Sequence, residues 1–543
     1  MSKSERPGTR IAVSIGDSAT PVADQVRAAV EAGADIVELR VDLMGNADTA
    51  ERYLRAVSRA DSAPPAPLIL TVRSAGEGGA WTGDETERAA LIERLARHAP
   101  AYVDIELAAW ERSEALRNRF ARARQAGKSA EHAGASAPAA RESRLIVSYH
   151  NLKMTPENLD EILERLAATP ADVIKAVFTA RDSTDACRVL AALKARSRDR
   201  AIIALAMGEA GLITRVLAGK FGAFLTFAAT TPAAATAPGQ PSLSELHDLY
   251  RWKQVGSATR VFGVVGWPVA HSLGPRIHNA AMGAGAIDGV YLPLPVAPRY
   301  ADFAAFLDFI AGNAWLDVFG LSVTLPHKQH ALRWLDERGD DVSDRARRYG
   351  AVNTLTRIAD GGWRGDNTDG LGAVRALETI PEFSDGGLRG RSVDVLGAGG
   401  AARGVVSALL ECGCRVTVYN RSPQRASSLA GELDCAWQPW ESRRNCSADI
   451  LINCTSVGMT PATEASPMAD IELSPATVVM DTIYTPPRTR LLREAAGRGC
   501  RVVSGSEMFI GQAGAQYESW HARTAPVSVL RTALASAPGL GEG

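Results

Sequence analysis

The sequence predicts an α/β protein: an N-terminal (β/α)8 barrel, then an α/β substrate domain that carries an inserted Rossmann-type domain. Three observations predict it. The 543 residues, 46% hydrophobic and 22% charged, suffice for about three globular domains at roughly 100 to 200 residues each. Eight short β-rich runs alternate with amphipathic Ala/Leu/Arg stretches between residues 11 and 229. Beyond residue 260 a second αβ alternation is interrupted at 387–422 by a strand, a glycine turn, a helix and a strand.

The eight runs are IAVSIG (11–16), DIVELRVD (35–42), PLILTVRS (67–74), AYVDIEL (101–107), RLIVSYH (144–150), DVIKAVFTA (172–180), AIIALAMG (201–208) and AFLTFAA (223–229). A barrel of eight such units works at the C-terminal ends of its strands. Glu38, Arg40, Arg73, Asp104, Glu106, His150 and Lys175 fall there. The stretch 127–143 is poor in bulky apolar residues and reads as a mobile insertion. TTPAAATAPGQ (230–240) has a linker's composition. Its place after the eighth run instead makes it a loop over ligand, with SLSELHDLY (242–250) as the closing helix. The expected domains are 1–256; 257–386 completed by 511–543, with a last helix near 511–535; and 387–510.

Lys plus Arg number 60 against 61 Asp plus Glu, so no global field holds nucleic acid or an anionic membrane. The seven Cys include no Cys-x-x-Cys pair, which argues against a disulfide framework and a zinc site and points to a reducing cytoplasm. The N-terminus lacks a signal-type apolar region, and no stretch approaches the roughly 20 apolar residues of a membrane span. Only eight residues are Lys, none after Lys328. Arg stays protonated and cannot act as nucleophile or base. Lys175, in an apolar strand, and Lys328, in a tight loop, therefore call for a chemical explanation.

In VDVLGAGGAARG, Gly397, Gly399, Gly400 and Ala401 form a turn between apolar strand and helix, with Ala402 completing G-x-G-x-x-A. Backbone N–H groups at such a helix start meet a pyrophosphate. Asn420 and Arg421 stand at the end of the next strand, where a cofactor with a free ribose hydroxyl calls for an acid, and Arg425 follows one turn on. Arginines there favour NADP(H) over NAD, because guanidinium binds phosphate through paired charged hydrogen bonds. Surface arginines are the competing reading.

SVTLPHK ends at Lys328, VNTL contains Asn353 and GDNTDG contains Asp369. A Lys beside an Asp stays an ammonium yet can give a proton to a carbonyl oxygen, as reduction by hydride requires. An exposed ion pair is the competing reading. In the barrel, apolar neighbours of Lys175 would lower its pKa and free an amine to attack a ketone. His150 ends the preceding strand and can share the cavity as a proton shuttle.

Residues 260–530 resemble shikimate dehydrogenase through GWPVAHSLGPRIHN, SVTLPHK, GAVNTL, GDNTDG, GAGGAAR, NRS, NCTSVGM and SEMFIGQA, in family order. The resemblance implies Lys328 and Asp369 as the catalytic pair, and Ser272, Thr324, Asn353 and Gln512 as ligands of a carboxylate and hydroxyls. Gly274 and Ser322 depart from the family, which usually has Ser and Asn there. Gly274 is expected to open space beside the substrate's C1 and to admit quinate as a minor substrate. Residues 10–245 resemble type I 3-dehydroquinate dehydratase through ELRVD, TVRSAGEGG, VDIEL, SYHN, IKAV, AMGEAGLITR and APGQ. That resemblance implies Lys175 as the imine-forming residue, His150 as acid and base, and Glu77 orienting it. Glu38, Arg40, Arg73, Arg215, Thr236 and Gln240 become substrate ligands. Together the halves imply dehydration of 3-dehydroquinate to 3-dehydroshikimate, then NADPH-dependent reduction to shikimate, with no metal. A catabolic quinate/shikimate dehydrogenase and a non-catalytic sensor of the intermediate are the alternatives.

Overall fold

The computed structural model describes residues 8–59, 64–121, 142–469 and 471–537. Most of the expected insertion at 127–143 lies outside the described residues. The chain divides into two compact units, Met1–Thr259 and Arg260–Gly543.

The first unit is an eight-stranded parallel sheet in the order β7-β6-β5-β4-β3-β2-β1-β8. Its strands are β1 Arg10–Ile15, β2 Ile36–Arg40, β3 Leu68–Thr71, β4 Tyr102–Glu106, β5 Arg144–His150, β6 Val173–Thr179, β7 Ala201–Met207 and β8 Leu225–Ala228. Phe224 N–H, just before β8, donates to Ile202 O at 2.8 Å and nearly closes the barrel. Helices cover such strands outside and side chains fill the inside, so they are buried on both faces and read as continuous apolar runs.

Alternation decides what fills the interior. Ala12, Ile36, Ile69, Tyr102, Ile146, Val173, Ile203 and Leu225 pack together as an apolar floor. Two residues further along each strand come Ser14, Glu38, Thr71, Asp104, Ser148, Lys175, Leu205 and Phe227. The polar chemistry is thus stacked above a hydrophobic plug, toward the C-terminal strand ends.

The 230–240 tract lies over those ends, with Gly208 N–H donating to Pro238 O at 3.0 Å. Gly239 has φ +71°, and a Cβ there would lie 2.1 Å from Gly208 O, so only glycine fits. The helix expected at 242–250 contains a π-helical segment, Glu245–Leu249.

The second unit holds two six-stranded sheets. The first, ordered β10-β9-β11-β13-β14-β12, is built from β9 Arg260–Gly266, β10 Gly289–Pro295, β11 Val318–Val323, β12 Asp341–Val342, β13 Thr354–Arg357 and β14 Trp363–Asp366. The second, ordered β17-β16-β15-β18-β19-β20, is parallel throughout. It comprises β15 Ser392–Leu396, β16 Arg415–Asn420, β17 Ala436–Pro439, β18 Ile450–Asn453, β19 Val478–Asp481 and β20 Arg501–Val503. This is the doubly wound order, whose direction reverses between β15 and β18.

One final helix was expected near 511–535. The structure has two, Gly505–His521 and Val527–Ala535. The first ends at Ala522 in left-handed backbone, φ +49°, and Pro526, lacking an N–H, precedes the second. Tyr517, Leu530 and Leu534 from this pair pack with Ile277 and Ala281 in one hydrophobic cluster. Among the described residues no helix is long and apolar enough to cross a membrane.

Candidate active sites

Lys175 sits in mid-β6 and is 5% exposed. Its Nζ lies 3.0 Å from Asp104 Oδ2, 3.5 Å from Glu38 Oε1 and 4.6 Å above the Phe227 ring. The apolar surroundings read from DVIKAV are therefore corrected. In a strand the residues on either side point to the opposite face, so Ile174 and Ala176 turn away and the amine meets carboxylates instead. Burial alone would raise the pKa of Asp104, yet Arg73 and Lys175 beside it hold it well below the usual carboxylate range. Glu38 is likewise lowered, Lys175 and Arg40 outweighing its burial.

His150 ends β5, and its Nδ1 lies 2.9 Å from Glu77 Oε2. Burial, then the cations Arg73 and Lys175, hold its pKa well below the ordinary value, so the imidazole is neutral. Burial and the neighbouring Glu106 push Glu77 up to about 8. His150 backbone N–H also donates to Glu77 Oε2, at 3.1 Å. Oε2 thus accepts from the backbone N–H, and an Nδ1–H donating to the same oxygen would leave Nε2 unprotonated. Glu77 therefore holds the His150 ring on its Nδ1 side.

A cavity of about 390 Å³ opens among Glu38, His150, Lys175, Arg215, Phe227 and Gln240. The other expected ligands Arg40, Arg73 and Thr236 also line it. Their partners differ. Arg40 is held by Asp42 at 3.0 and 2.7 Å. Arg73 is spent on Asp104 and Ser148, each at 2.8 Å. Arg215 is 2% exposed and makes one long bond, 3.4 Å to Phe227 O, and its Nε has no partner among the described residues. Burial pulls its pKa down to about 10. A buried guanidinium so sparsely bonded and facing a cavity has donors to spare for an anion. Thr236 and Gln240 hold each other, Gln240 Oε1 accepting from Thr236 N at 2.8 Å and Oγ1 at 3.1 Å.

Asp104 and Glu106 had been placed at a strand end but given no role. Asp104 takes Arg73 and Lys175, and Glu106 takes Arg88 at 2.9 Å. Their alternate positions in VDIEL, which put both inside the barrel, were the available signal.

In the second unit Lys328 and Asp369 each begin a helix, Lys328–Arg338 and Asp369–Leu377. Their side chains meet at 2.6 Å. Asn353 is fully buried, and its Nδ2 donates to Asp369 Oδ1 at 2.8 Å and to Thr368 Oγ1 at 3.1 Å. Its amide is thus engaged in holding Asp369. Ser272, Thr324 and Gln512 are partly exposed.

The space expected beside Gly274 is absent. A Cβ there would lie 3.0 Å from the Tyr291 ring and 3.1 Å from its hydroxyl, so Tyr291 fills the place. The basis for quinate acceptance falls with it.

Gly397 has φ +110°, and a Cβ on it would lie 3.1 Å from Cys454 O. By contrast, a Cβ on Gly399 or Gly400 would meet nothing within 4 Å. Gly399 caps the helix Gly400–Glu411 beside the point where the sheet reverses. The turn therefore presents bare backbone N–H groups to open space, which fits a pyrophosphate. Asn420 ends β16 and turns its amide to Ser422 O at 3.0 Å, and Arg421 and Arg425 are exposed. Among the described residues no group of His, Cys, Asp and Glu is placed to hold a metal ion.

Fold and sites together define a class: a two-site α/β protein joining a lysine-bearing barrel to a dinucleotide-type reductase unit. Comparison with known proteins resolves it further. The type I 3-dehydroquinase family matches residues 11–257, the shikimate dehydrogenase substrate binding domain 264–355, and shikimate/quinate 5-dehydrogenase 381–480. The bifunctional 3-dehydroquinate dehydratase/shikimate dehydrogenase of Arabidopsis thaliana is 34% identical over 96% of this chain and 83% of its own. The NADP(+) shikimate dehydrogenase of Symbiobacterium thermophilum is 41% identical over 51% of this chain and 94% of its own. A solved shikimate 5-dehydrogenase from Thermus thermophilus, in complex with NADP(H) and shikimate, is 35% identical, with a TM-score of 0.45 over 51% of this chain and 98% of its own. The chain belongs to the family of bifunctional 3-dehydroquinate dehydratase/shikimate dehydrogenases. It is a lyase and an oxidoreductase of the shikimate pathway.

Proposed function

We propose that Lys175 forms an imine with the C3 ketone of 3-dehydroquinate, and that Lys328 with Asp369 serves the reduction of the product to shikimate. The domain limits 1–256, 257–386 with 511–543, and 387–510 belong to the same reading. The observation that carries the first half is the placement on one cavity of Lys175 and of Arg215, whose Nε has no partner among the described residues. The amine is the nucleophile, and the guanidinium takes the substrate carboxylate.

Chemically, Lys175 passes a proton to His150 and attacks the carbonyl carbon, and the carbinolamine takes that proton back as its hydroxyl leaves as water, giving a protonated imine. That imine carries the positive charge the ammonium had, so Asp104 and Glu38 still neutralise it. Bare Nε2 of His150 removes the C2 proton while the imine takes up the electron pair. The enamine then expels the C1 hydroxyl, which leaves as water with the proton from His150. Hydrolysis of the imine frees 3-dehydroshikimate and returns Lys175.

In the second unit NADPH supplies a hydride to the ketone carbon. Lys328 protonates the resulting oxygen, and Asp369 fixes and recharges the ammonium. Arg421 and Arg425 would hold the 2'-phosphate of that cofactor, and Gly397, Gly399, Gly400 and Ala401 would receive its pyrophosphate. Ser272, Thr324 and Gln512 bind the substrate's carboxylate and hydroxyls.

Borohydride with 3-dehydroquinate tests the barrel. One ligand mass on a peptide containing Lys175 is expected, and a label on another lysine, or none in an active enzyme, overturns the assignment. For the cofactor, Arg421→Ala is expected to weaken NADP roughly tenfold or more and spare NAD, since one or two charged hydrogen bonds are lost. Equal use of both cofactors by the parent defeats that reading.

A further inference from the structure

Behind the reduction site runs a line of buried hydrogen bonds that the chemistry above does not use. Tyr291 on β10 lies 2.7 Å from Ser322 Oγ on β11, which lies 2.8 Å from Gln516 Oε1. Gln516, on the helix Gly505–His521, places its Nε2 3.2 Å from both Asn353 O and Thr354 Oγ1. Thr354 Oγ1 is 2.7 Å from Asn353 Oδ1. Tyr291, Ser322, Gln516, Asn353 and Thr354 are all buried.

The sense of the bonds from Tyr291 to Thr354 follows from Gln516. Its Nε2 can only donate, and the backbone oxygen of Asn353 can only accept, so Oε1 must face Ser322. Ser322 then donates to Gln516 and accepts from Tyr291. Thr354 Oγ1, accepting from Gln516, has its proton free for Asn353 Oδ1. Asn353 Oδ1 also accepts from Thr368 N–H at 2.9 Å. That leaves Nδ2 as the group facing Asp369, at 2.8 Å.

We propose that Gln516 is a positioning residue for the reduction: through the backbone oxygen of Asn353 and through Thr354 it braces Asn353 from behind, in the orientation that offers Asp369 an N–H. With Oδ1 held there, Asp369 keeps Oδ2 on Lys328 Nζ, 2.6 Å away. The proposal rests on Lys328 and Asp369 being the proton-transfer pair. Gln516 stands one helical turn beyond Gln512, the residue expected to touch substrate. Ser322, a departure from the family, is the link that joins Gln516 to Tyr291.

The test uses the full chain and 3-dehydroshikimate with NADPH. Gln516→Met keeps the volume and removes both donors and acceptor. It is expected to lower kcat at least tenfold, to change KM and the NADPH dissociation constant less than threefold, and to raise the solvent deuterium isotope effect on kcat. In an Asp369→Asn background the same change is expected to cost less than twofold, because the partner it positions is already disabled. Unchanged kcat, or full additivity with Asp369→Asn, overturns the proposal. If Asp369→Asn itself keeps parental kcat, the proton-pair reading is what fails. Should Gln516→Met lose NADPH binding, Thr354→Val cuts the same chain from β13 and is expected to lower kcat alike, with Thr354→Ser near parental. A parental kcat in Thr354→Val also overturns it.

Discussion

Arg215 shows how one residue sets function against stability. A buried guanidinium with no carboxylate costs the fold several kcal/mol, and here burial alone pulls its pKa down to about 10. Arg215→Met is therefore expected to raise the melting temperature of the dehydratase unit and to raise KM for 3-dehydroquinate at least tenfold. A lower melting temperature with unchanged KM would make the residue structural. Glu77 carries a pH signature. Its pKa in the fold is about 8 against 4.5 for the free group, so between these values the folded chain binds more protons than the unfolded one. Its contribution to stability is then greatest below about pH 4.5 and is lost as pH rises toward 8. Glu77→Gln does not titrate, so its unfolding free energy should gain on the parent's from pH 5 to 8. Denaturant melts across that range check it, and a gap independent of pH counts against it.

Among the elements, the helix Asp369–Leu377 is tightly constrained on two sides. A Cβ on Gly370 would fall 2.4 Å from Gly404 O, and one on Gly372 would fall 2.7 Å from Met508 O. The helix is thus wedged between Gly400–Glu411 and Gly505–His521, and its first residue is Asp369. Gly370→Ala must push the helices apart and move that carboxylate. It is expected to lower dehydrogenase kcat more than tenfold and to leave dehydratase activity unchanged; a parental dehydrogenase would show that the contact yields freely. Strands were the most legible elements. β1 to β8 each lie within or one residue beyond the runs read from sequence, because strands buried on both faces need unbroken apolar stretches. The C-terminal helix was read as one, because the left-handed turn at Ala522 involves no glycine and shows only in its backbone; Pro526 was the signal in the sequence that a second helix starts there.

At the level of the whole molecule, each compact unit contains all the residues of its own site. Lys175→Arg is expected to abolish dehydration while 3-dehydroshikimate still oxidises NADPH at the parental rate. Lys328→Met is expected to do the reverse, with enone absorbance rising from 3-dehydroquinate and NADPH untouched. A single change that silences both activities would mean that the units do not work independently. The scarcity of Lys in the chain made these two residues readable before any fold was known.

What the sequence by itself determined is the order of elements, the two families and the residue types at the reacting positions. These follow from hydrophobic period, glycine turns and motif spacing, all local along the chain. Tertiary structure alone decided the partners. Lys175 looked apolar because its sequence neighbours are, yet barrel closure brings Asp104 and Glu38 to it from β4 and β2. Gly274 looked like vacant space until Tyr291, on a different element, was found against it. Of the arginines assigned to substrate, Arg40 and Arg73 are already paired and Arg215 Nε is not. The physical reason is the same in each case: charge and volume act across a few ångströms of space, and the residues that supply them lie tens of positions apart in the chain.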